Sequence, residues 1–314
     1  MNSTTALVFA VLALLLAGPV PAFLSRAKWT HLAPRAALVL WQAIAIAAVL
    51  SAFSSGLAIG GLLLVPGPDG RPTTAPTDEI EALGFPLWLL YIVVLAITLG
   101  IGAKLMYSIV RVAVRTRRRR ARHRVLVDLL DRSTDNGRPF PCIRDADVRV
   151  LDAVEPIAYC LPGLRQRVVL SEGVLASLDP SEVLAILSHE RSHLRSRHDL
   201  VLEAFTAVNE AFPRIVRSKS ALGSVQLLVE LLADDSAVKA TGPTPLARAL
   251  VTCAGSTAPR GALAAGGPST LIRVQRLAGP GNDARRGTPE IRNGRAQRIC
   301  ELPGRSQVSV RRLE

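Results

Sequence analysis

The stretch Asp179-Pro180-Ser181-Glu182-Val183-Leu184-Ala185-Ile186-Leu187-Ser188-His189-Glu190-Arg191-Ser192-His193 decides how this chain is read. Asp179 is a residue type that caps helix N-termini, Pro180 suits the first helical position, and Glu182 stands three residues after the cap to close a capping box. These signals predict a helix from Pro180 to about Arg197, with Val183, Leu184, Ile186 and Leu187 as its apolar side. A helical period then sets His189 and His193 one turn apart on the same face. Two imidazoles so spaced can bind one zinc ion, and the glutamate next to the first, Glu190, can act as general base on a water the metal holds. Zinc lowers the pKa of such a water to about 7 and polarises a carbonyl, which brings peptide hydrolysis within reach of neutral pH.

An H-E-x-x-H run also arises by chance, so the reading needs a third ligand that leaves one coordination position open. Glu230 supplies it, within Val229-Glu230-Leu231-Leu232-Ala233-Asp234 on a separate helix expected over about Ala221 to Ala240. Asp234 follows one turn later on the same face, placed to accept a hydrogen bond from a ligand imidazole. Two acids in an otherwise apolar helix are costly if buried without partners, and a metal site accounts for that cost.

Around this pair the sequence has mixed periodicity. Val125 to Leu130 reads as helical, Val148 to Val154, Ile157 to Leu161 and Arg167 to Leu170 as short strands, and Leu200 to Ala211 as a further helix. Thr241-Gly242-Pro243 is a stop signal. The expected domains are a membrane portion over 1–124, a soluble module over 125–258, and an Arg/Gly/Pro-rich tail over 259–314 read as largely disordered.

The 314 residues have a net charge of +13, a pI near 10.8, 4% aromatics and a mean hydropathy of +0.30, a combination that excludes both a purely soluble basic protein and a disordered chain. The apolar excess lies in three charge-free stretches, Asn2 to Ser25, Ala36 to Pro68 and Ala82 to Ala103. Each is long enough for the roughly 20 residues of a membrane-crossing helix, and the crossings are expected at about 5–24, 37–64 and 85–110. The first lacks the basic residue that precedes a cleaved signal peptide and is read as retained, with a kink or stop at Pro19 and Pro21.

The loops then orient the chain. Arg26, Lys28 and Arg35 follow the first crossing, one arginine against four acids follows the second, and Arg111 to Arg124, with eight arginines and no acid, follows the third. Basic loops stay cytosolic, so the N-terminus is expected outside and the module inside the cell. No aromatics interleave the arginines as stacking platforms, which favours anionic headgroups over nucleic acid as their partner. Cys142, Cys160, Cys253 and Cys300 lack paired spacing and read as free thiols, with four ligands of a structural zinc as the alternative.

The runs Ala158-Tyr159-Cys160-Leu161-Pro162-Gly163, Val168-Val169-Leu170-Ser171, Leu184 to His193, His198-Asp199 and Glu230-x-x-Ala233-Asp234 together resemble the membrane-embedded gluzincins of the bacterial BlaR/MecR type. They are more distantly similar to HtpX-like membrane peptidases and the CAAX prenyl endopeptidases. The resemblance covers residues 140 to 240 and, in general layout, the hydrophobic helices before them. It implies an α-helical membrane bundle joined to an α+β zincin-like domain in which the H-E-x-x-H helix and the E-x-x-A-D helix pack on a small sheet. It implies His189, His193 and Glu230 as zinc ligands, Glu190 as catalytic base, and Asp234 behind a ligand imidazole. It also implies that the strand near Ala158 pairs with an extended substrate. The chain departs from the BlaR/MecR pattern after Gly242, where neither a further membrane helix nor an extracellular sensor is seen, which argues against β-lactam sensing.

The expected activity is therefore that of an integral membrane zinc endopeptidase whose substrate is a cytosolic transcriptional repressor or the protease itself. The rivals are a membrane quality-control protease and a catalytically silent membrane scaffold. His198 falls off the ligand face and reads as a surface residue or one lying behind the ligands; Asp235 reads as solvated and Cys160 as a buried apolar thiol.

Overall fold

The computed structural model describes residues 3–66, 72–73, 75–131, 147–163, 165–212, 218–254, 263–264 and 269–279. Cys142 and Cys300 lie outside these residues. The chain divides into two compact units, residues 1–118 with 197–232, and residues 119–196 with 233–314. The division falls inside one continuous helix, after Leu232. It differs from the expected division at residue 125, since residues 197–232 group with the N-terminal helices.

The first unit contains α1 (Ser3–Ala17), α2 (Pro19–Leu24), α3 (Trp29–Leu32), α4 (Pro34–Gly60), the two-residue strands β1 (Val65–Pro66) and β2 (Pro72–Thr73), α5 (Pro76–Leu83) and α6 (Phe85–Leu129) as far as Arg118. Three spans, Thr4–Leu24, Pro34–Leu63 and Phe85–Leu129, are long and apolar enough to cross a membrane. Gly18, just before Pro19, leaves helical geometry with ψ −86, so the first hydrophobic stretch is broken where its prolines predict. Small residues bring α4 and α6 close together. Gly56 lies against Thr98, and a Cβ on Gly60 would stand 2.8 Å from a Leu95 methyl. Leu7, Leu14, Ile46, Leu50, Leu90 and Ile97 are exposed, the surface a lipid solvent would cover.

The unit is completed by α9 (His198–Ala211) and the first part of α10 (Ser218–Thr241). Trp41, Ile44, Val225, Leu228 and Leu231 share a buried apolar cluster. Ser108 donates to the Ala207 carbonyl at 2.8 Å.

In the second unit the end of α6 is followed by β3 (Val148–Leu151), β4 (Ala158–Leu161), β5 (Arg167–Ser171), α7 (Glu172–Ser177), α8 (Pro180–Arg195), the rest of α10, α11 (Pro243–Thr252), β6 (Leu263–Ala264) and α12 (Thr270–Ala278). The sheet order is β3-β5-β4-β6, with β3 parallel to β5 and β4 antiparallel to both its neighbours. Every residue of β4 is buried, as a central strand covered on both faces requires. Cys160, Val168, Leu170, Ile186, Leu187, Leu246 and Leu250 form the core that fixes α8 to this sheet. Each such Leu or Ile contributes about 1.5–3 kcal/mol on burial.

Several elements differ from expectation. Helix α6 runs unbroken for 45 residues and absorbs Val125 to Leu129. Nothing after Gly102 interrupts it, since Arg, Ala, Leu and Val continue without Gly or Pro. Ser171 starts α7 by accepting from Val174 N–H at 3.2 Å. The triplet expected only to stop α10 also starts α11, because Gly242 takes φ +88 and Pro243 occupies the first helical turn. The stretch read as a disordered tail contains β6 and α12.

Candidate metal centre

Helix α8 begins with the expected box, in which the Glu182 carboxylate accepts the Asp179 N–H at 3.1 Å. That start sets the helical phase for the two histidines, about three and four turns on. His189 and His193 are 0% and 1% exposed, with their Nε2 atoms 3.1 Å apart and their rings edge-on. Glu190, between them in sequence, is fully buried. Ser192 Oγ, one turn before Ser196, bonds Ser236 Oγ at 3.0 Å and ties α8 to α10.

Helix α10 presents Asp234, whose Oδ1 lies 3.0 Å from His189 Nδ1. A proton on Nδ1 suits this contact and would leave the Nε2 lone pair available to an ion. The other partner of Asp234 is Arg273, on α12. Its Nε donates to Oδ2 at 2.8 Å and its Nη2 to Oδ1 at 2.6 Å, and Nη2 also stands 3.5 Å from His189 Nε2. Burial alone would raise the Asp234 carboxyl, but hydrogen bonds from Arg273 and then His189 hold it well below the usual carboxylate range.

Glu230 precedes Asp234 by one turn on the same unbroken helix, and the ligand atoms of His189, His193 and Glu230 all lie within 4.8 Å of one another. The donor set fits a zinc ion. Two nitrogens on one tetrahedral ion, with bonds of about 2.0–2.1 Å, stand roughly 3.3 Å apart, close to the observed separation. Asp234 is paired with the Arg273 guanidinium, and Glu190 and His193 are buried beside the first ligand position.

The structure thus gathers His189, His193 and Glu230, keeps Glu190 beside the histidines in sequence and puts Asp234 behind His189. Other expectations change. His198 is 4% exposed, so its surface reading fails. Asp235 is half-buried and paired with Arg276 at 2.8 Å rather than simply solvated. Cys160 is a buried free thiol, as is Cys253. Burial first, and the Glu190 charge second, push the Cys253 thiol up to about 11. The strand near Ala158, for which the resemblance implied an edge open to substrate, is already paired on that side. Its Tyr159 and Cys160 stand opposite Ala264 and Leu263 of β6.

Arg273 is the residue that sequence reasoning missed. A signal was present, because Ser269 precedes nine residues without Gly or Pro in which Arg273 and Leu277, four apart, are the buried pair.

Residues 117–222 match the family model of peptidase family M48. The matched range contains β3 to β5, α7, α8 with His189, Glu190 and His193, and α9, and it ends before Glu230. No curated protein and no solved structure matches the chain.

Proposed function

We propose that this chain is an integral membrane zinc endopeptidase with a zincin-like catalytic unit. The observation that carries the reading is the convergence of two imidazoles and a carboxylate from α8 and α10, with Glu190 next in sequence to the first imidazole. The peptidase match over residues 117–222 supports the reaction class. His189, His193 and Glu230 would hold the ion. When bound, zinc supplies Lewis-acid polarisation and a water of lowered pKa.

The chain's own residues do the rest. The Glu190 carboxylate accepts a proton from the attacking water and delivers it to the amine nitrogen as the C–N bond breaks. Asp234 keeps His189 in the tautomer that presents Nε2. The core beneath α8 fixes the helix that carries His189, Glu190 and His193.

An extended peptide adds naturally to β4, and the segment paired there belongs to the chain itself. That pairing favours self-cleavage, or occupancy by this segment until it is displaced, over an outside repressor as the first event. Broad cleavage of misfolded membrane proteins is the second reading within the same chemistry, supported by the three apolar helices. The eight arginines from Arg111 to Arg124 support a cytosolic catalytic side, with this basic run against anionic lipid.

The test is the full chain reconstituted in vesicles and incubated with zinc. Wild type is expected to release self-derived fragments and to stop doing so with a chelator. Glu190→Gln is expected to slow cleavage by about 10²–10⁴-fold. Cleavage that survives both treatments would overturn the proposal.

A further inference from the structure

We propose that Arg273 is a positioning residue of the metal centre: by holding both oxygens of Asp234 it fixes that carboxylate against His189 Nδ1 and so directs His189 Nε2 toward the ion. The inference rests on the metal-centre reading above and extends it to a helix outside the matched range.

The geometry is that of a fork on a fork. Nε meets Oδ2 at 2.8 Å, Nη2 meets Oδ1 at 2.6 Å, and both residues are 1% exposed. A carboxylate held by a single hydrogen bond can swing about its last torsion, which is broad and two-fold. Held at both oxygens by a planar guanidinium it cannot, and Oδ1 stays 3.0 Å from His189 Nδ1. The third contact of Arg273, Nη2 at 3.5 Å from His189 Nε2, puts the guanidinium against the ring it steadies.

Docking of α12 does not by itself require this arginine. The next turn of α12 pairs Arg276 with Asp235, through Nη1 to Oδ1 at 2.8 Å and Nη2 to Oδ2 at 3.2 Å, and Leu277 enters the core of the unit. Removing a guanidinium from water is costly, and an apolar residue at 273 would fill the same place without that cost. Adjacent aspartates on α10 thus meet arginines three apart on α12, one pair buried against His189 and the other partly exposed. The second pair is a control that the molecule itself supplies.

The experiment measures zinc affinity of the detergent-solubilised full chain by competition with a chromophoric chelator. The variants are Arg273→Met, Arg273→Lys, Arg276→Met, Asp234→Asn, and Arg273→Met combined with Asp234→Asn. Arg273→Met is expected to bind zinc about 10–100-fold more weakly, the range found when groups behind metal ligands are removed. Arg273→Lys retains the charge without the fork, so it should recover only part of the loss. Arg276→Met should match wild type, and the double variant should bind no more weakly than Asp234→Asn alone.

Unchanged affinity in Arg273→Met overturns the proposal. So does an equal loss in Arg276→Met, which would reduce Arg273 to a docking contact, and so do additive losses in the double variant. If Arg273→Met does not fold, Arg273→Lys decides: full wild-type affinity there contradicts the need for a fork. Wild type that takes up no zinc removes the metal-centre reading itself, whereas wild-type uptake with unaffected Arg273→Met removes only the role of Arg273.

Discussion

Asp234 meets two different demands with its two oxygens. Oδ1 faces His189 Nδ1 and Arg273 Nη2 together, while Oδ2 is taken by Arg273 Nε. A carboxylate so surrounded is anionic throughout the ordinary pH range, which a neutral imidazole needs if its Nδ1 proton is to stay in place. Cys253 ends on the other side of its usual value, because there burial and a neighbouring charge act together. Burial first, and the Glu190 charge second, disfavour its thiolate. In a variant with Cys253 as the sole cysteine, the folded protein is expected to resist alkylation by iodoacetamide at pH 8 and to react fully once unfolded. Rapid labelling of the folded form, read by mass spectrometry, would show that the thiol is neither buried nor protonated.

At the scale of elements, α4 and α6 meet through missing side chains. A Cβ on Gly56 would run into Thr98, one on Gly60 would come within 2.8 Å of Leu95, and one on Gly102 within 2.7 Å of Phe53. Gly56→Val is therefore expected to destabilise the first unit by about 1–3 kcal/mol, the usual cost of overpacking, seen as a lower thermal midpoint in detergent. A midpoint equal to wild type would mean that the two helices are not in this contact. Helix α8 was legible in the sequence because its start, period and ligands are local signals that agree. The break at Gly18-Pro19 was legible for the same reason. Helix α12 was not, because fifteen residues rich in Gly, Ala and Pro separate it from Ala254 and only its docking reveals its purpose. The pairing of β6 with β4 was equally hidden, since a two-residue strand has no period to read and its register depends on a partner a hundred residues away.

For the whole molecule, composition separates two solvents. Large apolar side chains stay exposed along α1, α4 and α6, while the unit containing α8 buries its apolar residues around a sheet. Helix α6 itself changes along its length, apolar from Phe85 to Ala103 and rich in arginine from Arg111 to Arg124. The three hydrophobic stretches and the meeting of His189, His193 and Glu230 were legible in the sequence, because length, charge and helical period report them directly. The grouping of α9 with the N-terminal helices was not, because it depends on which apolar face each helix buries. All of these elements serve the account's central claim, that α8 and α10 together hold one zinc ion. The most direct test is elemental analysis of the purified full chain after zinc is supplied and excess removed, with Glu190→Gln and His193→Ala alongside. The account predicts one zinc per chain in wild type and in Glu190→Gln, and its loss in His193→Ala; wild type without zinc, or zinc retained in His193→Ala, would contradict it.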